Sequence, residues 1–206
     1  MYKKLSIGID QSYARTGISI AADNKLLVVR SIDFYGCKNK IEKRLHVSTL
    51  LSKILKANKD KADEIVILVE RIRTFSQGPN KQQGFGLKPD YLKATGALIG
   101  TIVDTAYQHD VPVYSVDTRS WKSKVFGNSK TDAVKYKNFE KPEKAAAILF
   151  VKSKGFDVTI KNKDGSYKIH KRGKNAGKVF YDDDAADSGC IALYAFVNNP
   201  NLKLEE

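Results

Sequence analysis

Four carboxylates fall at the ends of three predicted elements. Asp10 closes the apolar run 5–9, Glu70 closes the run 65–69, and Asp184 and Asp187 open an apolar helix near the C-terminus. Each has a plain structural reading. An Asp of the 182–184 triplet would cap the helix, and Glu70 would pair with a nearby Lys or Arg. A cap needs one Asp, however, and four occur within residues 182–187. Asp184 and Asp187 are three residues apart, which puts both on one face of a helix near its N-terminal end. Asp187 is followed by Ser188-Gly189-Cys190-Ile191-Ala192, a small and apolar stretch suited to a core. A carboxylate beside such a stretch needs a partner. Hard cations such as Mg²⁺ take oxygen ligands, and paired metal ions clamp the attacking and leaving oxygens of a phosphodiester. The set therefore points to divalent metal held against phosphate.

The composition supports a polyanionic partner. The 206 residues carry 36 Lys and Arg against 23 Asp and Glu, a net charge of +13. Nucleic acid is the first expectation and an acidic membrane surface the second; the bland alternative is a merely basic, soluble protein. The two cysteines, Cys37 and Cys190, have no neighbouring Cys or His at zinc spacing, and nothing demands a disulfide. Cys190 reads as a core thiol and Cys37 as a loop residue. The N-terminal segment lacks the long apolar region of a signal peptide, and no run approaches a membrane span, so a cytoplasmic protein is expected.

The elements that would position the carboxylates read as follows. Strands are expected over 5–10, 17–21 and 26–34, the last two joined by the hairpin turn Asp23-Asn24-Lys25. Apolar residues at helical spacing follow over 41–55. The continuous run 65–69 suggests a strand buried on both faces. Residues 74–90 are Gly- and Pro-rich and read as a long loop. A helix spans 89 to about 108, with Gly96 and Gly100 one turn apart; each costs about 1 kcal/mol there, so close intramolecular packing is expected to compensate, with a second subunit as the alternative. A fifth strand covers 112–116. Helices follow over 120–126, capped by Asp117 or Thr118, and over 140–154, ended by Gly155. Residues 156–181 alternate polar and apolar residues around Asp164-Gly165, a hairpin signal, and carry seven basic against two acidic residues. A helix over 182–198 and a polar tail complete one α/β domain over 1–206, with no repeat and no linker.

The segments IGIDQSYARTGISI, ILVERIRTF and DDDAADSGCIALYA, with PVYSVDTRSWKSKVFG between the last two, resemble the RuvC-type Holliday junction resolvases of the RNase H-like nuclease superfamily. The resemblance covers most of residues 4–155 and 182–197, in order. It implies an RNase H-like fold, a five-stranded mixed sheet flanked by helices, to which the basic hairpin before the last helix is an addition. It implies Asp10, Glu70, Asp184 and Asp187 as catalytic metal ligands. Two Mg²⁺ ions, replaceable by Mn²⁺, would activate the attacking water at one ion and stabilise the leaving 3′-oxygen at the other. It implies a branched-DNA partner, a homodimer matched to the two-fold symmetry of a four-way junction, a role in DNA recombination and repair, and no small-molecule cofactor.

DNA contacts are expected from Arg15, Arg73, Phe75, Lys81, Lys122 and Lys124, and from Lys168, Lys171, Arg172 and Lys174 of the hairpin. The chain also departs from the family pattern. Asp10-Gln11-Ser12 stands where Asp-Pro-Gly is usual. The loop Arg is displaced by one position, to Arg15. Arg73 holds a position often aromatic, which leaves Phe75 as the candidate wedge for the junction centre. Three rival readings stand beside this one. The same carboxylates would serve a nuclease of forks, flaps or RNA–DNA hybrids. Gly8-Ile9-Asp10 to Thr16-Gly17 also looks like a phosphate loop of the actin and sugar-kinase superfamily, which fails on length. The third is a non-catalytic junction-binding protein.

Overall fold

The computed structural model describes residues 1–72, 89–127, 136–137, 139–173, 175–198, 200 and 202–205. The loop expected at 74–90 lies almost wholly outside them. Five strands stand where the apolar runs put them: β1 (Tyr2–Asp10), β2 (Thr16–Ala22), β3 (Lys25–Ile32), β4 (Ala62–Glu70) and β5 (Val113–Val116). The tail is more than polar filler, because Lys203–Leu204 forms a short sixth strand, β6. The sheet order is β3-β2-β1-β4-β5-β6. β1 pairs antiparallel with β2 and parallel with β4, β4 runs parallel to β5, and β6 returns antiparallel on β5. The sheet is therefore mixed and open. The β2–β3 turn takes Asp23 and Asn24 to φ 45° and 66°, the left-handed pair that a two-residue hairpin favours.

Helices α1 (Lys40–Asn58) and α2 (Pro89–Tyr107) cover one face of the sheet; α3 (Thr118–Phe126), α4 (Ala145–Ser153) and α5 (Asp183–Tyr194) cover the other. The run in β4 is apolar throughout because both faces are buried. Ile67 and Val69 enter the core with Leu51, Leu98 and Ile102, whereas Val66 and Leu68 enter the core with Trp121, Ile148 and Ile191. Asp117 caps α3 by accepting from the Arg119 N–H at 2.9 Å. The helix expected over 140–154 is split: a 3₁₀ turn, Pro142–Lys144, precedes α4. The helix expected to reach 198 ends at Tyr194. Among the described residues, no helix is long and apolar enough to cross a membrane.

Two expectations need correction. Gly96 and Gly100 do not pack closely within the chain: among the described residues, nothing lies within 4 Å of a Cβ built at either. One-turn glycine spacing looks the same in sequence whether the helix face is covered or open. Residues 156–181 are also more than a hairpin. Three short runs are joined by two turns and pair through isolated antiparallel bridges, Thr159 with Tyr181, Lys161 with Tyr167, and Ile169 with Val179. The Asp164-Gly165 turn forms as expected, with Asp164 accepting from the Ser166 N–H at 2.9 Å. The second turn, near Gly173 and Gly177, brings the chain back against both earlier runs.

The contact that matters most for the site is between α5 and the central strands. A Cβ on Gly8 would lie 2.3 Å from Ala192 N and from Ser188 O, and one on Gly17 would lie 2.0 Å from Asp184 O. Only glycine lets the helix backbone lie that close to β1 and β2. Ser19 and Ser188, both buried, complete the contact with Oγ atoms 2.7 Å apart. Gly17→Ala is expected to destabilise the fold by about 3 kcal/mol, because backbone rather than a side-chain tip must move. Urea denaturation would show this as a lowered midpoint at constant slope. An unchanged midpoint would mean that α5 does not sit as described.

Candidate active site

Parallel pairing of β1 with β4 sets Ile9 opposite Val69, so Asp10 and Glu70 leave the sheet side by side at the same end. Carboxyl ends of parallel strands are where sites in open α/β sheets gather. Gln11 locks the pair of strand ends together. Its amide N–H donates to the Glu70 carbonyl, and its Oε1 accepts from the Glu70 N–H at 3.1 Å. The residue that breaks the family's usual Asp-Pro-Gly pattern therefore fixes the backbone of the second carboxylate. Trp121 of α3 donates its indole N–H to Glu70 Oε1 at 3.3 Å. Across the strand ends lies the first part of α5, carrying Asp184 and Asp187. Asp10 is 8% exposed and Asp187 1% exposed.

The other acids of the triplet are engaged elsewhere. Asp182 caps α5, accepting from the Ala185 N–H at 3.1 Å, and also meets Ser31 Oγ at 2.5 Å and the Arg15 guanidinium at 3.6 Å. Asp183 pairs with Lys141 at 2.8 Å. The capping reading of the acidic triplet thus holds for Asp182 alone, Asp183 being taken up by an ion pair, while Asp184 and Asp187 act through their charge on Asp10.

A cation that sequence reasoning missed stands among the carboxylates. Lys144, at the end of the 3₁₀ turn, donates its ammonium to Asp187 Oδ2 and lies 4.0 Å from Asp10 Oδ2. Burial pulls the Lys144 pKa down, but Asp187 and Asp10 more than offset this and leave it raised. Burial raises Asp10 well above the ordinary carboxylate range, and Asp187 and Glu70 push it further. Burial also raises Asp187, against the pull of Lys144. Asp184 is pushed up to about 6 by burial and then by Asp183. No local signal marks Lys144 in the sequence, because it lies 43 residues from Asp187.

The donor set fits a hard divalent cation. It consists of carboxylate oxygens, and Asp187 Oδ1 is buried without a hydrogen-bond partner. Among the described residues, no three acidic, histidine or cysteine side chains converge as they stand into a finished metal cage. In this arrangement the Lys144 ammonium supplies positive charge between Asp10 and Asp187.

Of the residues expected to touch DNA, Lys122 lies close enough to lower the Asp187 pKa and sits with its ammonium 5.3 Å from the Trp121 ring centroid. Lys124 is exposed on α3, and Arg15 is paired with Asp182. Lys168, Lys171 and Arg172 are exposed on the 156–181 arm. Arg73, Phe75, Lys81 and Lys174 lie outside the described residues.

A carboxyl whose pKa rises on folding stabilises fully below its unfolded pKa and loses that contribution as pH rises through its folded value. Asp184 moves from 3.8 to about 6. In metal-free buffer the Tm should therefore fall between about pH 4 and pH 7, and Asp184→Asn should remove about 1–2 kcal/mol of the fall, allowing for its partial exposure. Mg²⁺ should raise the Tm more at pH 8 than at pH 5, since it competes with protons. A Tm that is flat with pH and indifferent to Mg²⁺ would contradict the cluster. Lys144→Met leaves Asp187 buried without its cation, which should cost about 3 kcal/mol at pH 8. The loss should shrink as pH falls and Asp187 takes up a proton; calorimetry at pH 8 and pH 5 decides this.

No family model matches the sequence, and no curated protein matches it. Solved structures do. The structure of Thermus thermophilus RuvC superposes with a TM-score of 0.57 at 16% identity, over 93% of this chain and 93% of that one. T. thermophilus RuvC in complex with Holliday junction substrate gives 0.59 at 16% identity, over 98% and 99%. The yeast mitochondrial Holliday junction resolvase Ydc2 is a weaker match, with a TM-score of 0.45 at 18% identity over 91% and 75%. Four carboxylates at one end of a mixed sheet are thus carried on a chain that has the fold of the RuvC structures.

Proposed function

We propose that this protein is a structure-selective endonuclease that resolves four-way DNA junctions by hydrolysing phosphodiester bonds. The observation that carries this reading is the charge neighbourhood of the buried Asp10, on which Asp187, Glu70 and Asp184 all act at one end of the sheet, on a fold shared with a RuvC structure solved with junction substrate. Asp10, Glu70, Asp184 and Asp187 would hold Mg²⁺. A cation held there would supply Lewis-acid chemistry for the attack of water and the departure of the leaving oxygen.

The chain's own residues prepare that chemistry. Gln11 holds the Glu70 backbone against the end of β1. Trp121 orients the Glu70 carboxylate. The depth of Asp10 and Asp187 keeps bulk water from screening them. Lys144 balances the two buried charges. Lys122 and Lys124 lie on α3, on the same layer as α5, where cations attract phosphate. Two cuts in a two-fold symmetric junction call for a C₂ dimer, and the face of α2 at Gly96 and Gly100, open among the described residues, is offered as its interface.

The test is cleavage of end-labelled DNA in Mg²⁺ by wild type and Asp10→Asn. Substrates are a mobile four-way junction, a fork, a 5′-flap and a linear duplex. Paired symmetric nicks confined to the junction are expected. Asp10→Asn should keep binding while its cleavage falls by about a thousandfold or more, a loss of about 4 kcal/mol in barrier stabilisation. Better cutting of forks or flaps would make the protein a broader branched-DNA nuclease. Binding with no cutting in Mg²⁺ or Mn²⁺ would end the enzyme reading.

A further inference from the structure

The arm formed by residues 156–181 plays no part in the carboxylate cluster, yet its backbone is tightly specified. Its three runs close a ring of bonds. The Ile160 N–H donates to Phe180 O at 3.0 Å, the Phe180 N–H to Lys168 O at 2.9 Å, and the Lys168 N–H to Ile160 O at 2.9 Å. Each run therefore has a partner on both sides. The arm keeps this shape with little apolar burial of its own: Val158, at its base, is buried, while Tyr167 and Ile169 are 58% and 48% exposed.

The base of the arm is bonded to the segment that delivers the site's cations. Lys178 Nζ donates to the carbonyls of Lys137 and Phe139 at 2.9 and 3.0 Å. Tyr181 stacks on Phe139 with centroids 5.2 Å apart, and His170 Nε2 lies 2.9 Å from Glu140 Oε2. Lys141 and Lys144 follow at once, on Asp183 and Asp187. At its other end the arm runs directly into Asp182, the cap of α5, whose N–H donates to Val158 O at 2.8 Å. The arm thus rises from the rim of the site and is braced on both sides of it.

Its charge is one-sided. Asp157 is taken up by Lys161 at 3.2 Å, and Asp164 is turned into its own loop by Ser166. Among the described residues, Lys168, Lys171 and Arg172 have no acidic partner and line, with His170 and Phe180, a concave face enclosing about 620 Å³. His170 stacks on Phe180 at 3.6 Å, and Lys168 Nζ lies 5.1 Å from the same ring centroid, so the cationic face has a rigid floor. A merely solvated hairpin needs neither a braced base nor unpaired cations gathered over an aromatic floor.

We propose that the arm is a duplex clamp: Lys168, Lys171 and Arg172 bind the phosphate backbone of the duplex that leaves the cleavage site. The placement relative to a cleavage site rests on the nuclease reading above; the phosphate contact does not. An extended run of about six residues reaches roughly 20 Å, which spans about six base pairs of duplex at 3.4 Å each. With His170 of the same run on Glu140, one residue from Lys141, the clamp meets the duplex at the rim of the site and follows it outward. It contacts backbone and so adds affinity without sequence preference.

The experiment compares wild type with the triple variant K168Q/K171Q/R172Q on a four-way junction and on linear duplex, without divalent metal. It measures affinity against salt concentration and hydroxyl-radical protection of the junction. Each phosphate contact contributes about 0.9 to the slope of log affinity against log salt, so the triple variant should lose about two to three from the slope. It should also bind about ten- to a hundredfold more weakly and lose protection several base pairs from the branch while keeping it near the centre. A charge-preserving variant, K168R/K171R, should keep slope and footprint, which separates lost charge from misfolding. An unchanged slope and footprint in K168Q/K171Q/R172Q overturns the clamp, as does equal loss in K168R/K171R. So does arm-dependent binding to acidic lipid vesicles in place of DNA. The two readings fail separately. Arm-dependent DNA binding by a protein that cuts no junction leaves the clamp standing and the nuclease reading lost, and junction cutting with an arm-independent slope does the reverse.

Discussion

The site depends on how closely the backbone of α5 lies on the two central strands. Gly8 and Gly17 leave no room for a side chain between strand and helix. Asp184 is held through its own carbonyl, which faces Gly17, so its position over the end of the sheet is set by main-chain contact rather than by a rotamer. Asp187 follows one turn later, on the buried part of the same helix. The Ser19–Ser188 bond satisfies the hydroxyls that this contact buries, which would otherwise be a cost. The same seating completes the hydrophobic layer beneath α3 and α4, with Cys190 and Ile191 packed near Trp121 and Ile148. Packing and the placement of the carboxylates are therefore one constraint.

Burying Asp10 and Asp187 creates a problem that the neighbouring segment answers. Lys141 and Lys144 are three residues apart, at the two ends of a turn closed by the Lys144 N–H donating to the Lys141 carbonyl at 3.0 Å. Asp183 and Asp187 are four apart on α5, which brings them onto one side of an α-helix. The two spacings match as a pair of rungs, Lys141 on Asp183 at the surface and Lys144 on Asp187 in depth. The expected 140–154 helix breaks at this turn, with Lys141 in extended backbone ahead of Pro142–Lys144. A local irregularity in chain geometry is thus tied to the charge balance of the site.

The parts of this arrangement differ in how far they can be read from residues alone. The strands were legible because each carries an apolar run, and Asp10 and Glu70 because they end two of those runs. The hairpin turn at Asp23-Asn24 was legible because few residues tolerate its left-handed backbone. β6 was not, since Lys203–Leu204 pairs through backbone groups that every residue has. The three-run arm was read as a hairpin because only its first turn carries a strong local signal, whereas the return of 178–181 against both other runs is a long-range event. Lys144 is one of many lysines, and nothing near it distinguishes the one that enters the site. Gln11 looked like a defect in a family pattern, yet its amide makes two hydrogen bonds that a proline could not.

The distribution of charge gives the proposed chemistry a physical order. The acids that matter are deep, and by themselves they repel phosphate. The cations without an acidic partner among the described residues are shallow, on α3 and on the arm, and they attract it. A polyanion approaching this surface is drawn first to the cations, whose field reaches about a Debye length, roughly 8 Å, into physiological salt. The carboxylates at the foot of the same surface become hospitable only when positive charge neutralises them. Lys144 does part of that work within the chain. A lysine, however, offers a single point charge and no open coordination position, whereas a divalent cation offers both. The buried, unpartnered Asp187 Oδ1 is where that difference shows: the ammonium satisfies one oxygen of the carboxylate and leaves the other open to a ligand of higher charge. On the proposed function, affinity for DNA and competence to cut it would be carried by separate sets of residues, joined by the short segment that braces the arm and carries Lys144.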